Sequence, residues 1–592
     1  MNIVTKKPEF SNFGSAKLQV GRYSTNQGDI DVNRLVSQNV AIRVIASGVD
    51  DDVYASGFQH GVNAMVEASW RFKHGGLLTL QYMYGWGNEN DASQKGIPID
   101  PSTGPLTYPI ILQGLTPDSA ERIYANTRAK SDDRCWTLFY SGQFNDNIST
   151  HFVARAEALI QQSNVPNLVP VSGEGGAYNP LTGTWTPGFT YGPAPTFTPI
   201  PALRTNGVYN TQSNIDGSNL YAYSVQDDYL FNYELGVLHS QTLMGMAAHV
   251  QSGVTINYSG TTQIPVNLFT GTLPIDATTP LALISWSSVR SNYMNAYVNE
   301  VAKFFKNDRL VINIGLAKNW NYLNTSSNSF KVPYSSHPSP LFRNYGVTVK
   351  ATPDIAVYYG HSESAQPQDN LPTSVPYVDE TKGKQDEEGA RFKFLGGRAM
   401  ATVDYYQIYQ TNYSVLNQLN LTVPAPVPPL PNLLLNRIAR GWEYSVNASV
   451  TPELSMLFSY TNFRNRDPNG VPFRLTAENS GAAWVHYDRA AGMFKGFGVG
   501  IGYVHQGRVA GDSATGLAAG STAAKPIPNQ PSFYIRAIGL WNATVSYHWR
   551  QWTVRGFLDN ATNEEYISGA TRRDSVIPGT PINPRAAVEY SF

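Results

Sequence analysis

Apolar and polar side chains alternate with a period of two along most of the chain. Near the C-terminus Trp541, Ala543, Val545, Tyr547 and Trp549 are apolar, while Asn542, Thr544, Ser546, His548 and Arg550 between and beside them are polar. After Arg550-Gln551 the phase flips. Trp552, Val554, Gly556 and Leu558 then carry the apolar or small side, against Thr553, Arg555 and Asp559. A strand sends successive side chains to opposite faces, so two such runs around a tight turn read as a β-hairpin. The alternation recurs in the segments 78–84, 152–158, 310–316, 454–460 and 499–503, and helical spacing never takes over for long. The pattern predicts an all-β chain.

Short and long connections alternate as well. Tight turns are predicted near Ser37, His74, Asp146, Glu234, Asn307, Pro353, Gly396, Pro452, Lys495 and Arg550. Polar, Gly/Pro/Asn-rich stretches fall near 23–28, 48–60, 86–134, 160–218, 252–292, 319–346, 361–387, 411–437, 462–481, 507–536 and 560–582. Ten turns on one side and eleven loops on the other join 22 antiparallel strands, with both termini on the short-turn side. Alternating strands of roughly ten residues with this asymmetry predict a transmembrane antiparallel β-barrel with short periplasmic turns and long extracellular loops. In lipid the sheet has to close, because an open edge would leave unpaired backbone groups in hydrocarbon. A propeller or β-helix also alternates, but neither explains the loop asymmetry, and no repeat of 40–50 residues is visible.

Composition agrees with a chain wetted by lipid. Only 15% of its 592 residues are charged, against about 25% in soluble domains. Aromatics make up 12%, led by 35 Tyr. With 43 basic and 44 acidic side chains the net charge is −1, which argues against a nucleic-acid binder with its basic stripe. The single cysteine, Cys135, rules out an internal disulfide framework and a Cys-based zinc module, and reads as an inert strand residue. No run of 18 apolar residues is present, so helical membrane spans are excluded. The first seven residues, Met1-Asn2-Ile3-Val4-Thr5-Lys6-Lys7, contain no apolar core of a signal peptide. At the other end Ala586, Val588, Tyr590 and Phe592 alternate with Arg585, Ala587, Glu589 and Ser591. Val588, Tyr590 and Phe592 are the candidate barrel-assembly signal, since a last strand ending on Phe resembles the one read by the outer-membrane assembly machinery.

Several ordered segments resemble one family. Asn2–Pro8 is similar to the strand that closes the plug of TonB-dependent outer-membrane receptors, and Gly21-Arg22-Tyr23 with Asp29–Asn33 is similar to their first barrel strands. The segment Tyr358-Tyr359-Gly360-His361-Ser362-Glu363-Ser364-Ala365-Gln366-Pro367-Gln368 resembles the siderophore-receptor branch. It is followed by Glu387-Glu388-Gly389, a strand pair resembling the one at Arg398–Tyr409, and Gly441-Trp442-Glu443. Gly502–Arg508, Asn560–Tyr566 and Pro584-Arg585 resemble the family's late elements. Each piece is short; their order and spacing carry the resemblance, which also implies 22 strands. On this basis residues 1–10 are expected to be the tail of a plug domain and residues 11–592 the barrel. The family's signal peptide, TonB-contacting segment and most of the plug are not in this sequence. The expectation is that Met1 is an internal start or fragment boundary, with a plug-less barrel as the alternative.

Enzyme chemistry finds no support: no Gly-x-Ser-x-Gly elbow, Walker-type loop or His-Glu-x-x-His is present. Asp386, Glu387 and Glu388, beside Lys382, Gly383 and Lys384, read as a solvated loop end. No metal-spaced His pair occurs, no cofactor is expected, and haem-receptor boxes are absent. Ligand capture is expected in the long loops, where aromatic faces and a cation suit a bulky chelate. The candidates are Tyr178, Trp185, Phe189, Tyr191 and Arg204 in the richest loop, with Trp286, Trp320, Tyr322 and Arg343 in neighbouring ones. The same loop aromatics also suit packing or an interfacial girdle. Pro424–Pro429 reads as a stiff spacer.

The resemblance implies a Gram-negative outer-membrane receptor that imports a ferric siderophore, as a monomer energised through TonB-ExbB-ExbD when the N-terminal part is present. Its other implied partners are outer-membrane lipid, lipopolysaccharide and the barrel-assembly machinery. A plug-less passive pore, and an importer of cobalamin or an oligosaccharide, remain the alternatives.

Overall fold

The computed structural model describes residues 5–54, 57–73, 75–90, 96–100, 111–164, 167–168, 177–179, 184–186, 189–190, 198–199, 208–212, 214–260, 264–273, 281–328, 334–366, 380–415, 433–467, 470–512, 531, 533–573 and 575–592. One antiparallel sheet of 23 strands makes up the wall. Of these, Tyr334–Ser336 only adds to the end of a longer strand; the other 22 form the ring. In chain order they are β1 (Phe13–Gly21), β2 (Asn26–Ser37), β3 (Val40–Val53), β4 (Gly57–Arg71), β5 (Leu77–Glu89), β6 (Arg128–Asn145), β7 (Ile148–Asn164), β8 (Asn214–Leu235), β9 (Leu238–Gly260), β10 (Leu281–Phe304) and β11 (Leu310–Ser327). The second half comprises β12 (Leu341–Lys350), β13 (Ile355–Gln366), β14 (Thr381–Phe394), β15 (Ala399–Val415), β16 (Leu433–Ser449), β17 (Leu454–Arg466), β18 (Asn479–Asp488), β19 (Phe497–Gln506), β20 (Ile538–Trp549), β21 (Trp552–Asp559) and β22 (Asn583–Ser591). Each strand pairs with the next, and β22 pairs with β1 from Ser15↔Ser591 to Gly21↔Arg585, which closes the barrel.

All ten predicted turns fall between consecutive strands at one end of the barrel, and all eleven loops at the other. Strand length is where the sequence reading falls short. β8, β9 and β10 run for 22, 23 and 24 residues, about twice the 9–11 that cross a bilayer. Parts of the stretches 160–218, 252–292 and 319–346 read as loop are therefore strand. The outward phase stays apolar along β9 there, at Val250, Val254, Ile256 and Tyr258, but the Gly, Ser and Asn residues between them give the stretch the composition of a loop. Likewise Asp386, Glu387 and Glu388 lie inside β14 rather than at a loop end, and their carboxylates alternate between faces.

Alternation sorts the wall into two surfaces. Leu18, Val20, Ile30, Val66, Trp541 and Val545 are exposed on the outside. The inner positions are polar: Glu67 and Gln81 are almost fully buried and hydrogen-bonded to each other. Cys135 is also an inner residue, 1% exposed, with Sγ 3.6 Å from Thr137 Oγ1. Residues 5–11 run along this inner wall. Gln81 donates to Thr5 Oγ1 (3.0 Å), Arg43 to the Lys7 carbonyl (2.9 Å), and Asn33 to the carbonyls of Glu9 and Ser11 (both 2.6 Å). Arg43 is itself held by Asp31 at 2.7 Å.

The seam ends on Phe592. Gly14 and Phe592 exchange both backbone hydrogen bonds (2.8 and 2.9 Å). The Phe592 ring lies 2.5 Å from where a Cβ on Gly14 would be, so glycine makes room for it. Tyr590 stacks on Phe592 and packs on Trp552, with centroids 6.0 and 4.7 Å apart. Deleting Phe592 leaves the Gly14 N–H without its acceptor at the closing edge. The expected loss is about 2–4 kcal/mol of barrel stability, read as a lower unfolding temperature in gel-shift assays of protein refolded in detergent. An unchanged midpoint would refute this account of the seam.

At the short-turn end, the Glu453 carboxylate between β16 and β17 accepts from the Ala490 N–H (2.9 Å), the Tyr487 hydroxyl (2.9 Å) and the Arg489 guanidinium (3.4 Å). These donors, the Ala490 amide first, hold its pKa below the usual carboxylate value. A depressed folded pKa means that the clamp is complete above the unfolded value of about 4.3 and is lost as pH falls through the lower folded value. Protection of the Ala490 amide, taken against its intrinsic exchange rate at each pH, should therefore fall only below that range, and Glu453→Gln should abolish this pH dependence.

Candidate functional site

The long-loop end is built from the loops' own hydrophobic packing. The connection from β5 to β6 carries a short helix, α1 (Ser119–Ile123). Ile123, Tyr124 and Leu112 pack there with Leu268 and Leu273 of the β9–β10 connection, and all five are at most 2% exposed. Arg122 fastens this contact by donating to the carbonyls of Gly271 (2.6 Å) and Leu268 (2.7 Å). On its other side the same connection sends Ile99 into a second cluster with Val509, Phe533, Ile535 and Val576, from the β19–β20 and β21–β22 connections. Ile97 and Val576 exchange backbone hydrogen bonds at 2.8 and 2.9 Å. Gly96, at φ +61°, passes so close to the Val576 backbone that a Cβ would collide with it. One connection thus ties together loops from β19 round to β10.

Beneath this canopy a cavity of about 680 Å³ opens against the inner wall of β4–β9. Register explains its lining. Gly61, Gly87, Ser131, Gln161, Ser218 and Thr255 are successive cross-strand neighbours, forming one row across six strands. The row nearer the short-turn end runs Asn63, Gly85, Asp133, Leu159, and the row nearer the loops runs Gln59, Glu89, Ala129, Ser163, Asp216. The glycines hollow the wall, and amides, hydroxyls and carboxylates line it. Ser163 and Ser218 make only long contacts of 3.5 Å, to Asp216 and Gln161. Asp133 Oδ1 is buried without a hydrogen-bond partner. The wall therefore offers spare acceptors to a ligand rich in N–H or O–H groups. In the loops, burial pushes the Tyr54 phenol up to about 12, so it stays protonated as a donor. Among the described residues no group of three or more His, Cys, Asp or Glu could hold a metal ion.

The loop candidates are distributed differently from the sequence reading. Tyr178 and Trp185 face each other in register in a small hairpin, Ala177–Asn179 with Thr184–Thr186, and Phe189 lies in a second short pairing. Tyr191 and Arg204 lie outside the described residues, as does Pro424–Pro429. Trp286, Trp320, Tyr322 and Arg343 are strand residues of β10, β11 and β12, not loop residues. Their phase matches the outward Met294, Ile314, Leu316 and Tyr345, so they face away from the cavity. Tyr322 instead packs on His337, with centroids 4.9 Å apart. The cavity residues Asn63, Ser131, Asp133, Gln161 and Asp216 are not among the candidates that the sequence offers. Each occupies the polar phase of its strand, a visible signal, but the register that aligns them spans six strands.

A closed 22-strand wall with a polar lumen, under a canopy of packed loops, defines a large membrane-type receptor barrel. The family model described as TonB dependent receptor-like, beta-barrel matches residues 69–561, and the chain belongs to that family. It resembles the ferric-catecholate import receptor Fiu from E. coli K12 in its closed form, with TM-score 0.78 and 14% identity over 100% of this chain and 83% of that one. The ferripyoverdine receptor of the Pseudomonas aeruginosa outer membrane gives TM-score 0.78 at 14% identity, over 99% and 72%. The siderophore receptor PiuA from Acinetobacter baumannii gives 0.76 at 13%, over 99% and 82%. At these identities the likeness shows the fold. No curated protein matches the sequence.

Gly96→Ala should cost about 1–2 kcal/mol for the left-handed backbone alone, with the collision at Val576 adding to it. Amide exchange at Ile97 and Val576 should accelerate while exchange in β1–β22 stays unchanged. Unaltered exchange at both amides would mean that this contact does not hold the loops together.

Proposed function

We propose that the protein is a Gram-negative outer-membrane receptor that binds a ferric siderophore at its loop end and imports it, energised through TonB in the intact protein. The observation that carries this reading is the acceptor-rich cavity on the inner wall directly below the packed loops, in a chain of this receptor family. Its volume of about 680 Å³ lies within the range of about 300–1,000 Å³ usual for small-molecule sites. The spare acceptor at Asp133 and the carboxylate of Asp216, which takes only a long hydrogen bond of 3.5 Å from Ser163, suit the amide and hydroxyl donors of a chelate's backbone, while the loop aromatics suit its flat iron-binding groups. The transported iron is cargo rather than a resident cofactor. Residues 5–11 on the lumen wall are the part of the chain through which movement of a plug would reach the barrel. We place TonB-ExbB-ExbD, the barrel-assembly machinery and outer-membrane lipid among its partners, and a monomer as the working unit.

The test is iron-starved growth and labelled-iron uptake with a panel of ferric catecholates, hydroxamates and mixed chelates. A deletion strain should lose uptake of at least one chelate, with uptake restored by the full-length gene only when the proton-motive force is intact. Parental uptake of every chelate by the deletion strain would overturn the reading. For the chelate so identified, Asp133→Asn with Asp216→Asn should raise Kd about tenfold, the equivalent of about 1.4 kcal/mol.

A further inference from the structure

The outward surface is mostly apolar and aromatic, but on β16 and β17 it presents two cations side by side. Arg440 and Arg464 are direct cross-strand partners and both are exposed on the outer face. Directly opposed side chains have Cβ atoms about 4.5–5.5 Å apart, and like charges so placed destabilise a sheet unless an anion joins them.

The surroundings supply no such anion. The next outward neighbour in the row is Gln407, then Asp386. Asp386 is turned away, accepting from His361 (2.8 Å) and Tyr359 (2.7 Å). One step toward the loops, Arg466 is neutralised by Glu478 at 2.6 Å. Among the described residues, neither Arg440 nor Arg464 has a carboxylate within ion-pair distance.

Height narrows the occupant. One step toward the short turns from the pair lie Tyr405, Trp442 and Asn462, and then Tyr444 and Tyr460. Tyr405 packs on Trp442 with centroids 5.2 Å apart. Amphipathic aromatics of this kind sit at headgroup level, so the arginines stand at or just beyond the headgroups, on the loop side of the apolar band.

We infer that Arg440 and Arg464 clamp a phosphate of the phosphorylated glycolipid of the outer leaflet, lipopolysaccharide. Two guanidinium forks suit the three oxygens of a sugar phosphate, the Gln407 amide adds a donor beside them, and Trp442 with Tyr405 offers an apolar floor to the adjoining acyl chain. A phosphate between the forks turns the like-charge pair from a liability into a binding element. The inference rests on the outer-membrane placement proposed above, but not on which nutrient is carried.

Binding of bis-phosphorylated lipid A, dephosphorylated lipid A and phosphatidylglycerol to the purified full chain in detergent would be compared by native mass spectrometry. The wild type should retain bis-phosphorylated lipid A over the other two. Arg440→Ala with Arg464→Ala should weaken that binding at least about tenfold, and the Lys double variant should keep part of it. Heat-dependent gel migration verifies that each variant is folded. Equal retention of dephosphorylated lipid A, equal retention of phosphatidylglycerol, or a folded Ala variant that binds as wild type would each overturn the inference. Labelled-iron uptake, unchanged in the Ala variant, keeps this outcome separate from the fate of the transport reading.

Discussion

Backbone hydrogen bonding in a medium without water is the constraint on which the rest depends. A strand in hydrocarbon has no solvent to satisfy its N–H and C=O groups, so every strand needs two neighbours and the sheet needs no edge. The pairing of β1 with β22 meets this condition, and the last residue of the chain completes it by bonding Gly14. Closure in turn separates an inside from an outside. Because side chains alternate, each strand must then be apolar on one phase, while the other phase is free to carry chemistry.

That freedom is used unevenly. Near residues 5–11 the inner wall is occupied by charges and amides that pair with the segment running past them, as Arg43 does with Asp31 and the Lys7 carbonyl. Higher up, across β4–β9, the inner positions shrink to glycine and small polar residues, and an acceptor such as Asp133 Oδ1 is left open. The first region resembles a filled interface and the second a prepared cavity. The difference comes from side-chain size and pairing, since the backbone of the two regions is the same sheet.

The loops add a second kind of stability. The wall has little apolar interior of its own, and among the described residues the two buried apolar clusters are both made by loop residues. Outside the lipid, burial of apolar surface is again driven by water, so the canopy folds as a small soluble structure on a membrane frame. Its anchor is one connection, 90–127, which reaches neighbours on both sides through Ile123 and Ile99.

The period-two pattern was sufficient to read the all-β class, the ten turns, the eleven loops and the 22 strands, because lipid imposes one apolar phase on every strand that crosses it. The lipid-facing phase and the aromatic end of the last strand were legible for the same reason. The reach of β8–β10 beyond the membrane was not legible, since Gly, Ser and Asn between the apolar positions give those stretches the composition of loops. Nor was the cavity: Gly61, Ser131, Gln161 and Ser218 are unremarkable polar-phase positions until register sets them in one row. Trp286, Trp320, Tyr322 and Arg343 lie in segments that composition alone marks as loop, and their outward aspect follows from strand phase. Local alternation is written in each segment of sequence, whereas alignment between strands far apart in the chain depends on how the whole ring closes, and only the tertiary structure decides that.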